Sequence, residues 1–204
     1  MRISAEERRQ QILDVAVGLC AEKGFSGTTL DDIADGAGVS RALVVQHFGS
    51  KEGVYEALYE AVARAHPLED DVEVARHIQG KDDFGVFRAC AEHVFENNLR
   101  DVRRSNLRLT VYSMLENTEL FHKFSEVRDG AWEGVISYLD ARQTEGALGP
   151  VDSRALIEGF RATVVHLAAE TMYREQQPDK EHFYGTVDVM IAVILAGLRA
   201  SAVI

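Results

Sequence analysis

Apolar positions recur at helical spacing along most of this chain. Ile12, Val15, Ala16, Leu19 and Cys20 fall at i, i+3, i+4, i+7 and i+8, one stripe of a helix. Ser4-Ala5-Glu6-Glu7 ahead of them reads as a capping box. Gly24 behind them reads as a left-handed cap, with Phe25 folding back as its hydrophobic contact. A second, shorter stripe follows in Leu30, Ile33, Ala34 and Ala37, and predicts a helix from Leu30 to Asp35. Thr28 or Thr29 can cap it, each with an aspartate three residues on, Asp31 or Asp32. Gly36-Ala37-Gly38-Val39 supplies a tight turn, and Ser40 is placed to cap the next helix, which runs to His47 or Phe48. Ser50 then caps a helix starting at Lys51, with Val54, Leu58 and Val62 inward and Pro67 ending it. The two short helices and their turn form a helix-turn-helix, whose second member is of a length to lie in a DNA major groove.

Beyond an acidic boundary at Pro67 to Asp71 the pattern stays helical. Asp82 or Asp83 opens a helix carrying Phe84, Phe87, Ala91, Val94, Phe95 and Leu99. Another is expected from about Asp101 to Leu115, through Leu107, Val111 and Met114. A third spans about Thr118 to Glu145 through Phe121, Phe124, Trp132, Ile136 and Leu139, and Gly146 to Pro150 stops it. Asp152 opens a fourth, with Leu156, Phe160, Val164, Leu167 and Ala168 inward. Asp179 opens the last, with Phe183, Val187, Met190, Ile191, Ile194 and Leu198. That helix is apolar nearly all round from Val189 to Leu198, more than one small core needs, so it is read as part of a subunit interface; burial within its own subunit is the alternative. No run alternates with period two for long enough to suggest a sheet, and the expected class is all-α.

The 204 residues are 46% hydrophobic and 27% charged, enough to bury a core in a small head and a larger helical domain. The start MRISAEERR has no apolar h-region, so no signal peptide is expected. The run from Val189 to Leu198 is too short to cross a bilayer, and a cytoplasmic protein without a membrane partner is expected. Cys20 and Cys90 lie on apolar faces of different helices, which reads as two buried thiols rather than a redox pair. The net charge of −11 is the first objection to a nucleic-acid binder. Residues 1 to 60 carry six basic side chains against ten acidic ones, a net −4, which predicts weak non-specific binding and a modest salt slope.

On the second helix of the motif, Val44 and Phe48 form an i, i+4 pair that should seat it on Ile33 and Ala34. Ala42, Val45 and Gln46 then point outward, with Arg41 at the exposed first turn and Leu43 on the flank. Arg41 can read a guanine edge bidentately and Gln46 an adenine; Leu43 and Val45 can press on thymine methyls. The bland alternatives are a solvated surface Arg41 and a helix-end His47 satisfied by backbone.

With this order of motifs, residues 1 to 66 resemble the N-terminal domain of the tetracycline-repressor (TetR) family of bacterial one-component transcription regulators. The resemblance rests on Gly24-Phe25, Thr28-Thr29, Ile33-Ala34, Ala37-Gly38-Val39-Ser40, His47-Phe48 and Ser50-Lys51-Glu52. It implies a three-helix helix-turn-helix head over 1–66 and a helical ligand-binding and dimerisation domain over 67–204. It implies that Arg41, Ala42, Leu43, Val45 and Gln46 face the groove, Ser40 beginning their helix. It also implies that His47, Lys51 and Thr28 or Thr29 touch phosphate. The chain departs from the family where a common phosphate-contacting tyrosine is Val45 and a common glycine is Ala42. By the same resemblance the last two helices form a two-fold interface and the preceding ones enclose a small-molecule pocket. Phe87, Cys90, His93, Val94, Tyr112, Met114, Trp132, Tyr138, His166, Glu170 and Tyr173 mix apolar walls with polar handles suited to a largely apolar effector. Each is also an ordinary core candidate.

The expected function is a homodimeric, effector-responsive regulator of a palindromic double-stranded DNA operator, with a ligand-binding dimer that no longer reads DNA as the alternative. No enzyme is expected: there is no glycine-rich phosphate loop, CxxC or HExxH motif, and no catalytic residue or cofactor is assigned. Glu119-x-x-His122 is a lone Glu-x-x-His pair, where a di-iron centre needs a second, so no metal site is expected.

Overall fold

A computed structural model of the chain describes residues 4–65, 68–99, 115–116, 119, 122, 130–174 and 179–202. All its regular elements among these residues are helical. They belong to two compact units, Met1–Ala65 with Arg100–Arg128 and His66–Leu99 with Asp129–Ile204.

The first unit contains α1 (Ala5–Gly27), α2 (Leu30–Ala37), α3 (Arg41–Phe48) and α4 (Lys51–Ala65). Their starts are set by side chains three residues from their targets. Ser4 and Glu7 close the capping box of α1, Thr29 and Asp32 that of α2, and Ser40 accepts from Leu43 N–H on α3. α1 kinks at Gly24, whose φ of 73° is the positive value expected of a glycine there, while its ψ of 179° lies outside the left-handed helical well. The expected cap is corrected only in extent: helical bonding resumes to Gly27 before Thr28 ends it. Gly38 does take the left-handed conformation, φ 64° and ψ 36°, and closes α2 through its N–H to Ala34 and Asp35 carbonyls. The core joins Ile12, Leu13, Ala16 and Cys20 of α1 to Ile33, Ala34, Ala37, Val44, Val54, Tyr55 and Leu58. Val62 lies beyond the side chains described.

The second unit contains α5 (Val72–Gln79), α6 (Asp83–Leu99), α7 (Glu133–Thr144), α8 (Ser153–Arg174) and α9 (Lys180–Ser201). A 3₁₀ turn at Leu68–Asp70 lies within the acidic boundary, and α5 follows it over residues to which the sequence pattern assigned no helix. Its signals were present but brief: Asp71 caps Glu73 and Val74 N–H groups, Val74 is buried and Ile78 packs on the core, and Gly80 ends it. The long helix expected over 118–145 is interrupted in its described part. Ala131 and Trp132 form a turn and α7 starts at Glu133, an arrangement that buries Trp132 to 5% exposure. The helix expected over 101–115 falls almost wholly outside the described residues.

On α6 the buried face is Val86, Phe87, Cys90, Ala91 and Phe95; Phe84, expected inside, is 37% exposed. Phe87 packs edge-on to Phe160 of α8, and Phe95 stacks on Phe183 of α9 with ring centroids 4.1 Å apart. α9 buries Phe183, Val187, Ile191, Leu195 and Leu198, so Leu195 joins the expected stripe while Met190 and Ile194 are half-buried. Val189 and Val193 on its other face are 66% and 68% exposed. α9 as a whole is, by length and composition, long and apolar enough to cross a bilayer, with mean hydropathy 1.6, a property that core helices share.

One polar network crosses this core. Asp83, 3% exposed, accepts from Tyr138 Oη at 2.6 Å and Arg142 Nε at 2.8 Å, with Arg199 at 3.5 Å. Burial works to raise its pKa, but the hydrogen bonds and charges of Arg142, Tyr138 and Arg199 outweigh it and the net shift is downward.

Candidate nucleic-acid interface

The exposed surface of α3 is decided by how the helix is seated. Val44 is completely buried and Phe48 is half-buried, packed with Ile33 and Ala34 as the i, i+4 spacing required. With that face fixed, Arg41, Ala42, Val45 and Gln46 are all exposed and Leu43 sits half-buried on the flank. Val45 is 40% exposed, a large apolar side chain offered to solvent where the family resemblance placed a groove contact. Ser40 is spent on the cap, which leaves its exposed edge at the mouth of the helix.

Three contacts outside α3 steady it. Gln11 Nε2 donates to the Ala37 carbonyl at 3.0 Å, and Arg8 holds Gln11 in turn at 2.7 Å, tying α1 to the turn of the motif. The Arg9 guanidinium lies 5.1 Å from the Phe48 ring centroid, a cation–π contact at the far end of α3. Gly53 lets the first turn of α4 pass the Phe48 carbonyl, which a Cβ there would strike. Sequence reasoning missed Gln11 and Arg9, because nothing local ties a residue on α1 to a carbonyl 26 positions on.

The expected phosphate ligands divide. Lys51, at the start of α4, holds its ammonium 4.3 Å from the Phe25 ring centroid. Ser50 caps the same turn, accepting from Gly53 N–H at 3.2 Å. His47 is half-buried, with its ring 6.1 Å from that of Phe48. Thr29 is exposed but committed to Asp32, its hydroxyl donating at 2.6 Å. Thr28 is corrected outright. Its side chain is fully buried and its hydroxyl donates to the Gly24 carbonyl at 2.8 Å, because the kink in α1 leaves that carbonyl needing a partner.

The hydrogen bonds from Thr29 and Lys23 hold the Asp32 carboxyl down at about 2. Asp31, its neighbour, places a carboxylate oxygen 3.8 Å from Arg41 Nε. Cys20 is buried behind the motif, and its thiol is pushed up by burial, which fits an inert core residue.

The described members of the expected effector set have the following surroundings. Phe87 and Cys90 are fully buried in packing, and burial pushes the Cys90 thiol upward. Tyr138 is bound to Asp83, and His93 pairs with Asp71 at 2.7 Å, at the start of α5. Val94 and Glu170 are half-buried and His166 is exposed, because it lies opposite the Val164–Ala168 stripe of α8. A shallow cleft of about 30 Å³ lies beside Trp132, Ile136, Ile157, Arg154, Glu158 and Arg161, room for about one water rather than an effector. Tyr112 and Met114 and the side chain of Tyr173 lie outside the described residues. Among those described, no three His, Cys, Asp or Glu side chains gather to hold a metal ion.

Comparison with known proteins agrees with the head. Residues 12–58 match the model of the bacterial regulatory proteins of the tetR family. The chain is 33% identical over 112 residues to the HTH-type transcriptional regulator AcrR of Shigella flexneri, covering 55% of this chain and 51% of that one. It is 25% identical over 132 residues to IcaR, a negative transcriptional regulator of the icaADBC biofilm operon in Staphylococcus epidermidis, covering 65% and 69%. The match thus spans about half the length of AcrR. The solved structure of the fatty acid degradation regulator FadR from Bacillus halodurans superimposes with a TM-score of 0.68 at 20% identity, over 94% of this chain and 96% of that one, which shows a shared fold. With the family model lying on the capped helices that present Arg41 to Gln46, and AcrR and IcaR among the chain's relatives, residues 12–58 form a head of the kind found in the tetR family of bacterial regulatory proteins.

Proposed function

We propose that the protein is a homodimeric transcriptional repressor that binds a palindromic operator through α3 and is released by a small, largely apolar molecule held in its second unit. The observation that carries this reading is the exposed face of Arg41, Ala42, Val45 and Gln46, fixed by the fully buried Val44 behind it. A protein needing only a stable core gains nothing from an exposed Val45 beside Arg41; a groove lined by base edges and methyl groups accommodates both. Lys51 and the start of α4 supply the phosphate grip, with Ser40, Leu43, His47 and the exposed edge of Thr29 at the rim. Repression follows the sense of the similar IcaR, and the protein acts in the cytoplasm.

Dimerisation is supported by surface chemistry. α8 exposes Gly159, Ala162 and Thr163, while α9 exposes Gly185, Val189, Ala192, Val193 and Ala196. Small residues beside two exposed valines suit close helix packing against a second copy, as a four-helix interface. The head is residues 1–66 and the effector and dimerisation domain 67–204 in this reading. An effector acts by favouring the conformation that binds the operator poorly. An operator affinity reduced tenfold needs only about 1.4 kcal/mol of coupling.

The departures at Ala42 and Val45 and the acidic head favour a second reading, a ligand-binding dimer that no longer reads DNA. Selection of binders from a random duplex pool by the full-length protein separates the two. The repressor reading expects enrichment of a palindrome whose half-sites lie about 34 to 36 Å apart, with saturable binding in gel shifts. A pool that shows no enriched sequence, while the protein is folded and dimeric, sinks it in favour of the second.

A further inference from the structure

α2 opens on two adjacent aspartates with different work. Asp32 is committed to the helix, closing the capping box with Thr29 and pairing with Lys23 at 3.1 Å. Asp31 has no part in that box. Its side chain is 68% exposed, and its carboxylate lies 3.8 Å from Nε of Arg41, itself 63% exposed. At that length the pair is a Coulombic neighbour and not a hydrogen bond, and at that exposure it adds little to folding. Arg41 is nevertheless the one arginine or lysine on α3, so the sole strong cation of the presented helix carries a negative partner.

We infer that Asp31 is a specificity-determining residue that acts through Arg41, making the guanidinium a poor phosphate ligand and a selective reader of bases. The inference rests on the DNA-binding reading above. Against an unrelated duplex, Arg41 has only the diffuse attraction of phosphates to gain. Asp31 competes for the same guanidinium and is itself repelled by the duplex. Against a matching guanine, two N–H groups of Arg41 make a bidentate contact in the groove, which repays separation from Asp31. The penalty is common to every sequence and the repayment belongs to one, so the ratio of specific to non-specific affinity rises. A net charge of −4 over residues 1 to 60 already holds the non-specific baseline low, and Asp31 places part of that charge beside the residue where discrimination is made.

Asp31→Asn tests this in the full-length protein, since the exposed amide keeps the side chain's size and leaves the Thr29–Asp32 cap intact. Binding is measured by fluorescence anisotropy on the selected palindrome and on a scrambled duplex of the same length, across a salt series. For Asp31→Asn, affinity for the scrambled duplex is expected to rise about threefold to tenfold. Its log–log salt slope should steepen by about one, and the palindrome should gain less, so discrimination falls. In an Arg41→Ala background the same substitution should gain less than twofold. An unchanged scrambled-duplex affinity and slope overturns the inference, as does an equal gain without Arg41, which would make Asp31 a generic surface charge. A merely structural role would leave the slope unmoved. If the wild-type protein binds neither duplex, the DNA reading itself falls and takes this inference with it; a wild type that discriminates while Asp31→Asn matches it removes only the inference.

Discussion

The helix starts of the first unit and the helix-to-helix ties of the second are set by interactions of different reach. In the first, the contacts that define α1, α2 and α3 span three residues: Ser4 with Glu7, Thr29 with Asp32, Ser40 with Leu43. In the second, the contacts that join helices span tens of positions. Asp83 meets Tyr138 across 55 residues, Arg142 across 59 and Arg199 across 116, and Lys81 meets Glu145 across 64. The lesson concerns what each unit has to keep constant. A DNA-reading head must present one short helix at one angle, and local caps plus a small buried seat suffice. The second unit is tied by distant polar contacts laid across its apolar core.

The contrast can be broken most directly at Asp83. Asp83→Ala removes the shared acceptor and leaves the buried Tyr138 hydroxyl without it and the half-buried Arg142 with Glu145 alone, at a cost of about 1–3 kcal/mol to the second unit. Urea denaturation followed by tryptophan fluorescence reports on that unit, because Trp132 is the only tryptophan in the chain. A loss below about 1 kcal/mol would mean that the distant ties are ornamental and the aromatic stack of Phe95 on Phe183 does the holding.

The head is sharpened by a pair of substitutions with different signatures. Arg41→Ala should cost about 1–3 kcal/mol on the preferred operator and relax preference at one base position. Lys51→Ala should weaken all sequences alike and reduce the salt slope by about one. Full operator affinity in both, read by gel shift, would remove α3 from the interface. Thr29→Ala, which deletes a cap, should destabilise the first unit by about 0.5–2 kcal/mol. Hydrogen exchange at the α2 amides should show that loss while the amides of α9 are unchanged.

Acid provides the smallest and most graded comparison. Asp32 titrates near 2 in the folded head, below its unfolded value, so its stabilisation is present above about pH 4 and is lost as pH falls through 2. The Asp83 carboxyl is also lowered, so the second unit likewise weakens as acid protonates it, and neither aspartate contributes a loss on raising pH from 5 to 8. The acid-dependent part contributed by Asp32 should vanish in Asp32→Asn when melting of the head is followed between pH 5 and pH 2. Persistence of the full acid loss in that variant would assign it to other carboxylates.

How much of this could be read from the chain varies with the same reach. The capping box at Ser4, the burial of Ile33, Ala34 and Val44, and the exposure of Arg41, Ala42, Val45 and Gln46 follow from spacing within ten residues. Thr28 did not: its sequence position suits a cap or a phosphate contact equally, and only the kink at Gly24 turns its hydroxyl inward. α5 was overlooked because eight residues with two inward apolar positions give periodicity little to work with. The turn at Trp132 was hidden by a stripe that continues through it, since burying that ring outweighed the continuity of helix bonding.

By itself, the order of caps, turns and apolar stripes determined that the chain is helical, that its head is a helix-turn-helix, and which face of α3 is presented. Those features depend on interactions between near neighbours, whose geometry any α-helix imposes. Tertiary structure alone decided that Thr28 is interior, that Asp31 stands beside Arg41, that Asp83 gathers three partners, and that Phe87 packs edge-on to Phe160. Those outcomes depend on which helix faces meet, and the spacing along one helix holds no record of the face that packs against it.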